Sequence, residues 1–315
     1  MTYKAKLGLL AAAAIILVAV FLFIDLGGNW DYALPRRIKK VLAIILTGGA
    51  IALSTTVFQT VTNNRILTPS VMGLDSLYVL IQTTVIFVFG SFTLYKLGSN
   101  VNFLINVGGM ILFAGVLYKI LFKREGNNIY FLLLIGMIFG TLFSSMSSFM
   151  EVLIDPNEFQ FVADKMFASF NNVKTELLVL SVIVVVLTLL YFARFAKYLN
   201  VLALGREQAI NLGVNYDYVV KRLLIVVAVL ISVATALVGP ITFLGLLVVN
   251  VAYEVMKTYR HSYLIAASVL ISIIALVGGQ LVVERVFTFS TTLSVIINFI
   301  GGVYFIYLLL KESKA

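Results

Sequence analysis

Residues 199–214 read Leu-Asn-Val-Leu-Ala-Leu-Gly-Arg-Glu-Gln-Ala-Ile-Asn-Leu-Gly-Val, a polar interruption between long apolar runs. Leu199 and Leu202 lie one helical turn apart. Gly205 breaks the pattern, and a second turn carries Ala209, Ile210 and Leu212 before Gly213. This spacing predicts two short amphipathic helices joined at Gly205. Beside a membrane, such an element must cover its apolar face with lipid headgroups or with a partner.

The flanking runs set the class. Apolar residues make up 61% of the 315 and charged residues only 12%, with a mean hydropathy of +1.07. Soluble domains are typically about 45–50% apolar and about 25% charged, so this composition belongs to a polytopic membrane protein. A spanning helix needs roughly 20 apolar residues. The runs between charges predict ten spans, near residues 6–24, 38–60, 70–90, 102–122, 129–149, 176–193, 219–238, 241–256, 263–283 and 292–310, in one transmembrane domain over residues 1–315. The first run is long for a signal peptide, and Asp25-Leu26-Gly27-Gly28 offers no small-x-small cleavage site. It reads as a retained helix.

The positive-inside rule orients the chain. With ten spans and a cytoplasmic N-terminus, 15 of the 23 Lys and Arg residues fall inside, and the eight outside are balanced by eight acids. The net charge of +9 then belongs to the cytoplasmic face, which describes membrane topology and no nucleic-acid footprint. Both termini are predicted to be cytoplasmic, and so is the polar element, taken as residues 194–217. One external cluster, Pro35-Arg36-Arg37-Ile38-Lys39-Lys40, runs against the rule. It fits snorkelling side chains with Pro35 in the first turn of the second span, and equally an electrostatic socket for an acidic partner.

Catalytic motifs are absent. The sequence holds no GxxxxGK[ST], HExxH or GxSxG, no cysteine, and one histidine, His261, which reads as structural. No catalytic residue, metal site or cofactor is expected. Glycine pairs within spans, such as Gly48-Gly49 and Gly301-Gly302, suit close helix approach. Asp75, Glu254 and Glu284 fall near predicted span ends and away from the bilayer centre, which counts against an ion-coupled carrier. Uncharged polar residues gather instead in two spans. Met137, Ser144, Ser145 and Ser148 stand in one; Thr291, Ser294 and Asn298 stand in the last. They suit either tight helix interfaces or the wall of a wide, weakly interacting pathway.

The element at 199–214 resembles the cytoplasmic signature of permeases in the iron-siderophore and cobalamin family of ABC importers, matching at Asn200, Leu202, Leu204, Gly205, Ala209, Leu212, Gly213 and Val214. Further blocks resemble the family in order: Leu34-Pro35-Arg36, Gln59 with Asn64–Gly73, Gly239-Pro240-Ile241-Thr242-Phe243-Leu244-Gly245-Leu246, and Gly301 with Phe305–Leu309. The sequence departs from the family pattern at Ala33, at Val248-Val249-Asn250, at Gly278-Gly279-Gln280 and at Ser290-Thr291-Thr292. The stretch Asn63–Thr83 looks like permeases for catecholate-type siderophores such as petrobactin or anguibactin. The resemblance implies an all-α, type II importer permease of about ten helices in the bacterial plasma membrane. It implies ATPase coupling through Asn200, Leu202, Leu204, Gly205, Arg206, Glu207, Ala209, Leu212 and Gly213. It also implies docking of an external binding protein, periplasmic or lipid-anchored, at Arg36 and Arg285, with Arg37 beside them. The implied partners are ATPase subunits and a second permease, expected to be a different chain. Cobalamin or haem is the alternative cargo, and an ion-coupled carrier the alternative class.

Overall fold

The computed structural model describes residues 2–25, 30–121, 129–171 and 173–312. Lys123, Arg124 and Lys314, counted above as cytoplasmic, and Leu26-Gly27-Gly28 lie outside the described residues. No strand occurs among the described residues. The helices are α1 (Tyr3–Phe23), α2 (Trp30–Thr62), α3 (Leu74–Phe89), α4 (Ser91–Leu121, broken at Gly98), α5 (Ile129–Leu153), α6 (Pro156–Met166), α7 (Thr175–Ala193), α8 (Leu199–Leu202), α9 (Arg206–Asn211), α10 (Tyr216–Val238), α11 (Leu244–Met256), α12 (His261–Arg285) and α13 (Leu293–Glu312). Each predicted span has its helix. Eight are long and apolar enough to cross a membrane; α3 and α11 are shorter.

Two helices form the centre. In α2 and α10, 78% and 72% of the spanning window is buried, against 11% in α1 and 22% in α7 and α13. Several polar residues inside α2 turn on their own backbone. Ser54 Oγ donates to the Ala50 carbonyl at 2.6 Å, Thr56 Oγ1 to Ala52 at 2.8 Å, and Thr62 Oγ1 to Phe58 at 2.8 Å. Glycine lets neighbours close in at some predicted positions: a Cβ on Gly48 would meet Leu276 and Ser272 of α12 at 2.9 Å, whereas Gly108 and Gly302 face open space.

The two short helices carry the architecture. At 1.5 Å per residue, the 16 residues of α3 and the 13 of α11 reach about 24 and 20 Å, short of the roughly 30 Å hydrocarbon core. Backbone outside α-helix, at 63–73 with a 3-10 turn at Pro69–Met72 and at 239–243, leads into each of them, and such backbone is tolerated at membrane depth only where protein surrounds it. The start of α3 packs on the middle of α5: a Cβ on Gly136 would stand 2.8 Å from Met72 Cα, and Gly73, with φ +77°, lies against Gly140. The second break is held from both sides. Ser169 N donates to the Val238 carbonyl at 2.8 Å, Ala168 N to Ser294 Oγ at 3.0 Å, and Phe243 N to Asn298 Oδ1 at 3.3 Å.

Asp75 stands where the sequence places it, near the end of its span, in the first turn of α3. It lines a small cavity with Thr55, Ser70 and Thr235, and Thr235 Oγ1 donates to it at 3.2 Å. Pro35 is displaced from expectation. Helix α2 starts eight residues earlier than the predicted span, at Trp30, and Pro35 lies inside it.

Candidate functional site

The predicted pair of short helices is present. After α7 a 3-10 turn at Ala196–Tyr198 leads into α8, and Gly205 separates α8 from α9 with φ +97°, a conformation that glycine adopts without steric cost. Asn215 Oδ1 then accepts from Tyr218 N at 3.3 Å and caps α10. The element is two-faced. Leu199, Leu202 and Ala209 are buried against the bundle, while Leu204, Ile210 and Leu212 are 56%, 48% and 62% exposed. Arg206 and Glu207 are also exposed, and Arg206 lies 3.8 Å from Asp217.

The residues predicted to couple to a partner therefore divide. Leu204, Arg206, Glu207 and Leu212 stand on the outward face, joined by Ile210. Leu202 and Ala209 anchor the element inward, and Gly205 and Gly213 shape its turns, both with positive φ. Asn200 also works inward. Its Oδ1 accepts from the backbone N of His261 at 3.0 Å and lies 2.8 Å from His261 Nδ1. With two donors required there, the ring proton is assigned to Nδ1. His261 Nε2 lies 2.8 Å from Thr60 Oγ1. The lone histidine thus pins α8 to the start of α12 and the cytoplasmic end of α2. Sequence reasoning labelled His261 structural and missed this link, because Asn200 is 61 residues away and no spacing rule connects them.

Three of the external cations, Arg37, Lys40 and Arg285, are committed within the chain. Arg37 Nη1 donates to the carbonyls of Phe21, Leu22 and Ile24 at 3.2, 3.1 and 2.6 Å, closing the C-terminus of α1 as a cation suits that end of a helix. Lys40 pairs with Glu284, both side chains at most 15% exposed, and Glu284 also accepts from Gln280 Nε2 at 2.9 Å. Arg285 pairs with Asp25 at 2.6 Å and so ties α12 to the end of α1. Arg36 is exposed, stacked 4.1 Å from the Tyr32 ring centroid, and has no ion-pair partner among the described residues.

A polar stripe runs along α5. Met137, Thr141, Ser144, Ser145 and Ser148 are exposed, and Ser144 Oγ meets Ser76 Oγ of α3 at 3.1 Å. Thr291 is partly exposed near the start of α13. Ser294 is buried and Asn298 partly buried. Ser294 fixes the segment before α7 at Ala168, and Asn298 holds the break at Phe243, so these two shape the bundle from within.

A bundle of apolar helices, two half-crossings against a hydroxyl-lined face, and a paired-helix element presenting leucines at one edge define a multi-pass membrane permease. The chain belongs to the FecCD transport family, which it matches over residues 7–311. It is 69% identical over 315 residues to the petrobactin import system permease protein YclO of Bacillus subtilis, covering 100% of both chains. It is 36% identical over 278 residues to the petrobactin import system permease protein FatC of Bacillus anthracis, covering 88% of this chain and 78% of that one. A second permease of that name in Bacillus anthracis, FatD, is 26% identical, covering 88% and 81%. Among solved structures, it is similar to an inward-facing conformation of a metal-chelate type ABC transporter, with TM-score 0.84 and 21% identity over 98% of this chain and 100% of that one. That likeness shows the fold. The protein is a multi-pass protein of the bacterial plasma membrane and a transport subunit, not itself an enzyme.

Proposed function

We propose that this chain is the permease subunit of an ATP-driven importer that brings Fe(III)-siderophores of the petrobactin class into the cytoplasm. The observation that carries this reading is the 69% identity along the whole length of a petrobactin import permease. An external binding protein docks with Arg36 as its contact on this chain. Arg37 and Arg285 act indirectly, by holding the ends of α1, α2 and α12 that present it. Exposed ion pairs contribute only about 0–1 kcal/mol each, so docking sets register and on-rate more than affinity. Cargo passes along the stripe Met137, Ser144, Ser145 and Ser148, with Thr291 at its rim, between this chain and a second permease. FatC and FatD are two distinct permeases of one organism, and this chain is nearer to FatC. That favours a partner of different sequence.

Energy enters at the cytoplasmic edge. An ATPase subunit seats Leu204, Ile210 and Leu212 in a groove, with Arg206 and Glu207 at the rim. Movement of α8 passes through Asn200 and His261 into α12 and α2. His261→Ala removes two hydrogen bonds of the clamp, each contributing about 1 kcal/mol. The assembled variant should still bind its ATPase but consume about tenfold more ATP per cargo moved, and His261→Asn, which restores a donor near Nδ1, should recover part of the loss. Unchanged stoichiometry in His261→Ala would remove the clamp from the coupling path.

The cargo is tested by titrating the system's binding protein with a panel of ferric chelates and following its fluorescence. Catecholate-bearing siderophores should quench at submicromolar concentration, while cobalamin and haem should not. Preferential quenching by cobalamin or haem would overturn the cargo assignment and leave the importer class standing.

A further inference from the structure

The outer side of the α7–α10 pair carries a groove that the transport cycle above does not use. Val184, Leu187, Thr188 and Tyr191 line one wall, and Ile225, Val226 and Val229 the other, around a volume of about 240 Å³. That is below the roughly 300–1,000 Å³ of a small-molecule site. Its one hydroxyl of a threonine is already bonded, Thr188 Oγ1 donating to the Val184 carbonyl at 2.7 Å. The groove therefore offers apolar contact and little polar recognition along its length.

Its cytoplasmic end is different. Tyr218, Arg222, Ile225 and Val229 follow one helical stripe of α10, so Arg222 stands one turn below the groove on the same face. The Arg222 guanidinium lies 5.1 Å from the Tyr218 ring centroid. Tyr191, Phe195 and Tyr218 form a continuous aromatic floor, with centroid separations of 5.3 and 6.1 Å. Arg194 and Lys197 are exposed on the turn that follows α7. Between residues 191 and 222 the chain carries five cations and two acids, one of which, Asp217, faces Arg206.

Tyrosines at the interface, a cationic mouth on the cytoplasmic side and an apolar slot leading into the bilayer match an amphiphile with an anionic head. We propose that this groove is a binding site for an anionic phospholipid, its acyl chain between α7 and α10 and its phosphate at Arg222, Arg194 and Lys197. Because Arg194 and Lys197 lead directly into α8, a lipid seated there braces the hinge between the bundle and the coupling element.

The test uses the full chain in its assembled complex, purified in mild detergent and exposed to phosphatidylglycerol or phosphatidylcholine of matched chains, with retained lipid counted by native mass spectrometry. Wild type should retain phosphatidylglycerol several-fold over phosphatidylcholine. Arg222→Gln should lower that preference roughly fivefold, the typical loss for one interfacial cation. Val229→Trp, which fills the groove and leaves the charges in place, should lower retention of the lipid itself. Lys4→Gln, a cation on the distant α1, should change nothing. Millimolar inorganic phosphate should not displace the lipid. Equal retention of the two lipids, an unchanged preference in Arg222→Gln with full retention in Val229→Trp, or displacement by phosphate alone would each overturn the proposal.

Discussion

Replacing Leu204 and Leu212 together with aspartate should leave the protein inserted at wild-type abundance but abolish its copurification with the ATPase subunit. Both side chains are more than half exposed, and both stand on the face of the element opposite its buried anchors Leu199, Leu202 and Ala209. The bundle therefore loses no packing when they become charged. An apolar anchor at the centre of an interface typically contributes about 2 kcal/mol or more, so losing two weakens association by about 4 kcal/mol, roughly a thousandfold. Affinity copurification from membranes, with size-exclusion profiles of the tagged chain as the folding control, reads both halves of the result. Retained ATPase with full transport-linked hydrolysis would place the docking surface elsewhere.

Gly136→Val should have the opposite signature, with the fold failing before the interface is tested. A Cβ there would lie 2.8 Å from Met72 Cα and 2.9 Å from the Val71 carbonyl oxygen. Both neighbours are backbone, so no side chain can swing aside, and α3 would be pushed off α5 at the point where its half-crossing begins. Overpacking of this kind typically costs 1–3 kcal/mol and often more against rigid backbone. Thermal unfolding of the detergent-solubilised protein should show a large drop in midpoint or no folded fraction. Gly302→Val, where a Cβ meets nothing within 4 Å, is the matched control and should be nearly silent.

The contrast between these two sites shows what the sequence could carry. The pair of short helices was legible because its signal is local: apolar residues at helical spacing, two glycines at turns, and charges between them. The spans were legible for the same reason. Helix α6 escaped notice although its start is written locally, with Asp155 accepting from Asn157 N at 2.8 Å and Pro156 opening the first turn. The half-crossings could not be read, because groups that satisfy them lie far off in sequence: Asn250 of α11 donates to the Arg65 carbonyl at 3.0 Å, and Asn298 of α13 accepts from Phe243 N at 3.3 Å. Arg285 resembles a docking arginine in sequence and Arg37 stands beside another, and only the nearby α1 carbonyls and Asp25 reveal their internal partners. Ser294 and Asn298 look like pathway residues until the backbone amides of Ala168 and Phe243 are seen beside them. Asp75 was legible as a span-end residue, but its partner Thr235, 160 residues away on α10, was not.

Uptake into proteoliposomes tests the central claim most directly. The chain would be reconstituted alone, or together with its second permease, its ATPase and its binding protein, and supplied with an Fe(III)-catecholate siderophore. Radiolabelled iron should accumulate only with the full set and ATP, and an imposed proton or sodium gradient should not replace ATP. Accumulation by this chain alone under an ion gradient would contradict the account and assign the protein to the ion-coupled carriers.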